Sequence, residues 1–224
     1  MKISVISSKE FLKELEFLFK NYSEELRATT QPYYLKKAQE QLKDYIYRPE
    51  DPLVRETLME HIGSLPMVAT AMFPYLNDPH VDLGKTLTML AIHDIGELIT
   101  GDEMTFTKQA SAKDPERDAA LSLLHESYHE LYDQVENQTN KSAQFAKAVD
   151  KITPDIYDYL TPADITIWRY KHFVGIEPEE IIPLIEAKKR PYMTWNPFMA
   201  EFHVYLLERL GDKIASAMRE KHEE

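Results

Sequence analysis

The residues best suited to chemistry in this 224-residue chain lie in the run His93-Asp94-Ile95-Gly96-Glu97-Leu98-Ile99-Thr100-Gly101-Asp102, which sets an imidazole beside a carboxylate in an otherwise apolar segment. A second histidine, His61, follows Glu60, and a second aspartate, Asp150, stands in Ala148-Val149-Asp150-Lys151. Two imidazole nitrogens and two carboxylate oxygens make a donor set for one divalent cation. Asp94 falls in register with Leu87, Leu90, Ala91 and Leu98, on or beside an apolar stripe, where an unpaired carboxylate is costly and a cation would relieve the cost. Taken singly, His61 or Asp150 reads as an ordinary structural or capping residue, so the combination carries the argument. His125 and His129 have the spacing of a zinc clip, but Glu126 and Glu130 beside them read as a solvated face. The other histidines outside the set (80, 172, 203 and 222) are read as structural.

Elements that could position such a set are helical. Only 6 glycines punctuate the chain, and no run alternates long enough for a sheet. Ser7-x-x-Glu10 is a capping box ahead of Phe11, Leu12, Leu15, Leu18, Phe19 and Tyr22. Leu35, Ala38, Leu42, Tyr45 and Ile46 mark a second helix. Ser64 and Pro66 predict the start of a third, with His61 just before it. The fourth is expected to run through residues 83–99, carrying both His93 and Asp94, with Gly101 as its C-terminal stop. Asp114-Pro115 opens a fifth that carries Leu121, Leu124, Tyr128, Leu131 and Val135. Phe145, Ala146, Val149 and Ile152 mark a sixth. Thr161-Pro162 and Asn196-Pro197 read as capping residue plus first-turn proline. The expectation is an all-α chain, one compact helical bundle over residues 1–224, with the motifs in a core of about 50–155.

Composition narrows the partners. A formal charge of −12 disfavours nucleic-acid backbones, and the absence of cysteine excludes disulfides, thiolate zinc sites and iron–sulfur clusters. The first twenty residues are too charged for a signal peptide, and no apolar run reaches transmembrane length, so a cytoplasmic protein with no membrane partner is expected.

The order His61…His93-Asp94…Asp150 resembles that of the HD-domain phosphohydrolases, and more closely the branch containing 5′-deoxynucleotidases. That branch has an Arg before a Glu-His pair, a His-Asp-x-x-Glu-x-x-x-Gly-Asp string and an Ala-x-x-x-Asp-Lys-like helix. Here these are Arg55 before Glu60-His61, the string from His93 to Asp102, and Ala146 to Lys151. Lys108 matches the family's lysine after Gly-Asp. One departure stands out. The family commonly continues Glu-His-Ser-x-x-Val-Ala, whereas this chain has Glu60-His61-Ile62-Gly63-Ser64-Leu65-Pro66. The resemblance implies one divalent cation (Mn, Co, Fe, Mg or Zn) on His61, His93, Asp94 and Asp150. It implies Glu97 orienting or deprotonating a water, Asp102 at the sugar or leaving oxygen, and Arg55 with Lys108 on a phosphate. The implied substrate is a small phosphomonoester, foremost a (deoxy)nucleoside 5′-monophosphate. Two other readings stay open: an HD hydrolase of a (p)ppGpp-like or cyclic nucleotide, and a non-catalytic metal- or nucleotide-binding helical protein. Residues 155–224 match no motif and are expected to cover the core or form a homodimer face.

Overall fold

A computed structural model describes residues 7–24, 58–101, 106 and 113–223. Among these every regular element is helical, as the sequence predicts, and no helix is long and apolar enough to cross a membrane. The second expected helix, Leu35 to Ile46, lies outside the described residues, as do Arg55, Asp102 and Lys108.

The first helix, α1 (Ser8–Glu24), begins at the expected capping box. Glu10 N–H donates to Ser7 Oγ at 3.3 Å, and Ser7 N–H donates to Glu10 Oε2 at 3.0 Å. Its apolar face buries Phe11, which meets Tyr75, Phe198 and Phe202 edge to face at 5.1–5.2 Å.

The next helix, α2 (Leu58–Leu76), starts earlier than the Ser64/Pro66 signal predicts and contains Pro66 and Pro74. His61 therefore sits inside its first turns. Ser64 does not cap; its hydroxyl donates to His61 O at 2.8 Å. Leu65, Val68, Ala69, Met72 and Leu76 are buried along one face, and that burial outweighs the local stop signal.

Two helices meet beside α2. The helix α3 (Leu83–Ile92) is capped by Asp82, whose side chain accepts from Lys85 N–H at 2.9 Å. Asp82 N–H donates in turn to Ser142 Oγ at 2.8 Å, which ties the start of α3 to that of the central helix. The expected continuous helix through 83–99 is broken: residues 93–96 form a turn, followed by the short α4 (Glu97–Thr100). Bonds from Ile95 N–H to Ile92 O, Glu97 N–H to Asp94 O and Leu98 N–H to Ile95 O tighten the turn. Gly96 is where a neighbouring helix comes closest. A Cβ there would stand 2.3 Å from Glu116 O on α5 (Lys113–Leu123), so α5 packs directly on the glycine backbone. Gly101 ends α4 at φ 80°, the glycine stop the sequence predicts.

The expected fifth helix is also two. A 3₁₀ turn (Glu126–Tyr128), its N–H of Ser127 taken by His125 Nδ1, separates α5 from α6 (His129–Asn137).

At the centre lies α7 (Lys141–Leu160), capped by Asn140 and packed against α2, α3 and α6. The chain continues through α8 (Ala163–Arg169), a π-helical turn (Tyr170–Val174), α9 (Pro178–Met193) and α10 (Pro197–Glu223), which close over the other side of α7. Thr161 ends α7 and Pro162 caps α8, one residue later than the sequence predicts. Asn196 caps α10 as expected, accepting from Phe198 N–H at 3.0 Å, and its amide donates to Leu76 O at 2.9 Å. Lys213 of α10 donates its ammonium to the carbonyls of Tyr159 and Thr161 at the C-terminal end of α7.

Candidate metal centre

Three elements bring four side chains together: His61 from α2, His93 and Asp94 from the 93–96 turn, and Asp150 from the middle of α7. One donor atom from each lies within 4.8 Å of all the others. His61 Nε2 is 3.5 Å from Asp94 Oδ2 and 3.4 Å from Asp150 Oδ1. His93 Nε2 is 3.0 Å and 3.5 Å from the same two oxygens.

His93 keeps the helical conformation of α3, with its N–H on Met89 O, and Asp94 follows in the tightened turn with Oδ2 3.0 Å from His93 Nε2. The imidazole of His93 is fixed from behind, because Nδ1 lies 2.9 Å from Leu90 O, a carbonyl that accepts the Nδ1–H. That tautomer puts the free lone pair on Nε2. This atom is completely buried and has no hydrogen-bond partner. A buried nitrogen lone pair facing two carboxylate oxygens is poorly served by protein alone and well served by a cation. The donor set and its geometry fit a divalent metal.

The electrostatics describe the metal-free alternative, in which a proton on His93 Nε2 takes the place a cation would fill. Burial works against charge on His93, yet Asp94 and Asp150 together push its pKa up to about 9. Burial would raise Asp150; Lys151, His93 and His61 hold it well below the usual carboxylate range. Asp94 is likewise lowered, against its burial, by His93 and more weakly by Lys147. The cluster thus favours one added positive charge at its centre. Around it stand two lysines of α7. Lys151 Nζ lies 2.9 Å from Asp150 Oδ2, and Lys147 Nζ lies 2.6 Å from Glu136 Oε1 of α6. Both appear in the sequence motif, but nothing in the pattern assigns them a role.

Glu97 opens α4, half-buried and three residues beyond Asp94. Arg55, Asp102 and Lys108 lie outside the described residues. His125 and His129 do not form a metal pair: the former caps the 3₁₀ turn, and Nε2 of the latter lies 3.1 Å from Leu124 O.

The family model described as HD domain matches residues 39–165. This chain belongs to the HD-domain family. Its fold also resembles a solved structure of a predicted metal-dependent phosphohydrolase from Magnetospirillum magnetotacticum MS-1, at 24% identity and a TM-score of 0.50, over 71% of this chain and 84% of the other. Among curated proteins none matches the sequence.

Proposed function

We propose that the chain is a metal-dependent phosphohydrolase acting on a small phosphomonoester, most specifically a (deoxy)nucleoside 5′-monophosphate. One observation carries the reading: four ligand-type side chains from three elements converge on a point where the buried lone pair of His93 lacks a partner. Membership of the HD-domain family supports it, and the motif resemblance supports the nucleotide branch.

In this reading His61, His93, Asp94 and Asp150 hold one divalent cation. When bound, that cation supplies Lewis acidity and a water of lowered pKa. The chain's own residues supply the rest. Leu90 O accepts the Nδ1–H of His93 and so leaves Nε2 for the cation. Glu97, placed just past the turn, orients the attacking water and takes its proton. Arg55 and Lys108 bind the phosphate, the guanidinium by a bidentate pair. Asp102 meets the sugar or the leaving oxygen.

The test combines metal analysis with a phosphatase panel of ribo- and deoxynucleoside monophosphates, a cyclic nucleotide and a guanosine polyphosphate. Release of inorganic phosphate from the monophosphates by cation-loaded protein is expected. Glu97→Gln should keep the cation and lose about 10²–10⁴-fold in kcat. Loaded protein inert on the whole panel would sink the enzymatic reading.

A further inference from the structure

Lys151 is the charged group at the centre that the mechanism above leaves without a task. Asp150 points its two oxygens at different partners. Oδ1 faces His61 Nε2 at 3.4 Å and His93 Nε2 at 3.5 Å, whereas Oδ2 lies 2.9 Å from Lys151 Nζ. Lys151 is itself largely buried, with a side chain 21% exposed, so its ammonium has few alternatives to Asp150. The next lysine back, Lys147, is turned to Glu136 instead. Among the described residues, Lys151 is the lysine or arginine in ion-pair contact with any of the four donors.

A carboxylate with both oxygens free can chelate a cation through the pair. An ammonium seated on one oxygen occupies one of its lone pairs and, by like-charge repulsion, disfavours a cation on that same oxygen. We propose that Lys151 is a positioning residue that restricts Asp150 to one-oxygen coordination and so keeps a coordination position open for water or substrate. The proposal rests on reading the four side chains as a metal centre. It reverses the usual expectation for a residue next to a ligand. Replacing Lys151 with an apolar side chain frees a second carboxylate oxygen and removes a like charge beside the cation. Both changes tighten cation binding, and the freed oxygen fills the open position. A brace that merely held Asp150 in place would, when removed, loosen binding.

The experiment is a Co²⁺ titration of the full chain against a competing chelator, with the visible absorption of the loaded protein recorded in parallel. Wild type, Lys151→Met and Lys151→Arg are compared, and circular dichroism checks that each is folded. Lys151→Met is expected to bind Co²⁺ about tenfold more tightly or better, equivalent to a charge–charge effect of roughly 1.4 kcal/mol. Its d–d absorption should weaken, because a higher coordination number gives fainter bands. Lys151→Arg should match wild type in both. If Lys151→Met fails to fold, Lys151→Gln carries the same expectation. Equal or weaker Co²⁺ binding in the neutral variants, or an unshifted spectrum, overturns the proposal. So does a variant whose only defect is weaker inhibition by inorganic phosphate, since that would make Lys151 a phosphate contact. Wild type that takes up no Co²⁺ at all overturns the metal-centre reading itself, a result distinct from normal wild-type loading with an unchanged variant.

Discussion

The two halves of α7 place acids on the same buried helix and use them in opposite ways. In the first half, Asp150 shares its surroundings with Asp94 and two histidines, and one oxygen from each aspartate faces the common centre. In the second half, Asp155 and Asp158 are 0% and 1% exposed, and each has a dedicated cation from the helices that follow. Lys189 of α9 pairs with Asp155; Arg169 of α8 pairs with Asp158, whose other oxygen accepts from Tyr170 OH at 3.2 Å. Burial is similar in the two halves, and what differs is who claims the charge. Where a lysine or arginine reaches every acid, the result is a pin between helices. Where the acids outnumber the cations that reach them, a position is left that a metal can fill.

The largest effect should come from exchanging charge for amide in each half. Asp150→Asn is expected to abolish stoichiometric cation loading by metal analysis, while Asp155→Asn leaves loading intact and lowers the melting temperature. Loss of metal from both variants would erase the distinction between the halves.

Next comes the pin itself. Removing one partner of a buried pair typically costs about 3–5 kcal/mol, and Lys189→Met should fall in that range by urea denaturation. Its pH dependence has a definite sign. Burial, only partly offset by Lys189, pushes Asp155 up to about 6 from its ordinary 3.8. A carboxylate with a raised folded-state pKa contributes stability at pH below its ordinary value and loses it as pH rises through the folded value. Taking Lys189 away raises that folded value further. The deficit of Lys189→Met relative to wild type should therefore be smallest near about pH 4 and grow towards about pH 8. A deficit that shrinks with rising pH would mean that Asp155 is not the group left exposed.

These contrasts also explain what the sequence could show. Asp150 stands among Ala146, Val149 and Ile152 at helical spacing, so its place on an apolar helix was readable from local pattern. So were the Ser7/Glu10 box and the Asn196 cap, whose bonds close within three residues. The break after Ile92 was not readable. Leu87, Leu90, Ala91 and Leu98 keep helical register across it, and the close packing of Gly96 on the backbone of Glu116 comes from a segment twenty residues on. The pins were equally hidden. Lys189 and Arg169 look like solvated surface charge in sequence, and their partners lie 34 and 11 residues away. Local periodicity sees neither kind of contact.

Gly96→Ala probes that break. The added Cβ meets backbone, not a flexible side-chain tip, so α4 and α5 must separate. Destabilisation of about 1–3 kcal/mol is expected, the usual size of overpacking. Because Asp94 and Glu97 flank the glycine, cation affinity should weaken as well. Full stability with unchanged affinity would show that the turn owes nothing to the α5 contact.

The smallest effect belongs to Lys213, and it tests whether the second half of α7 is purely structural. Its ammonium, on the long C-terminal helix, binds the carbonyls of Tyr159 and Thr161, which have no helical N–H to accept from. Burial lowers its pKa, with Asp158 and Glu16 opposing that shift. Lys213→Met removes a charged donor from carbonyls at the negative end of the helix, where water can take its place because the site is only partly buried. The loss should be about 0.5–1.5 kcal/mol, the net value of a single hydrogen-bonded group at a helix end. Cation loading should be untouched, since the end of α7 is about ten residues, roughly 15 Å, from Asp150. A Lys213→Met protein that melts normally but loads less metal would couple the two halves of α7 and end their reading as independent devices.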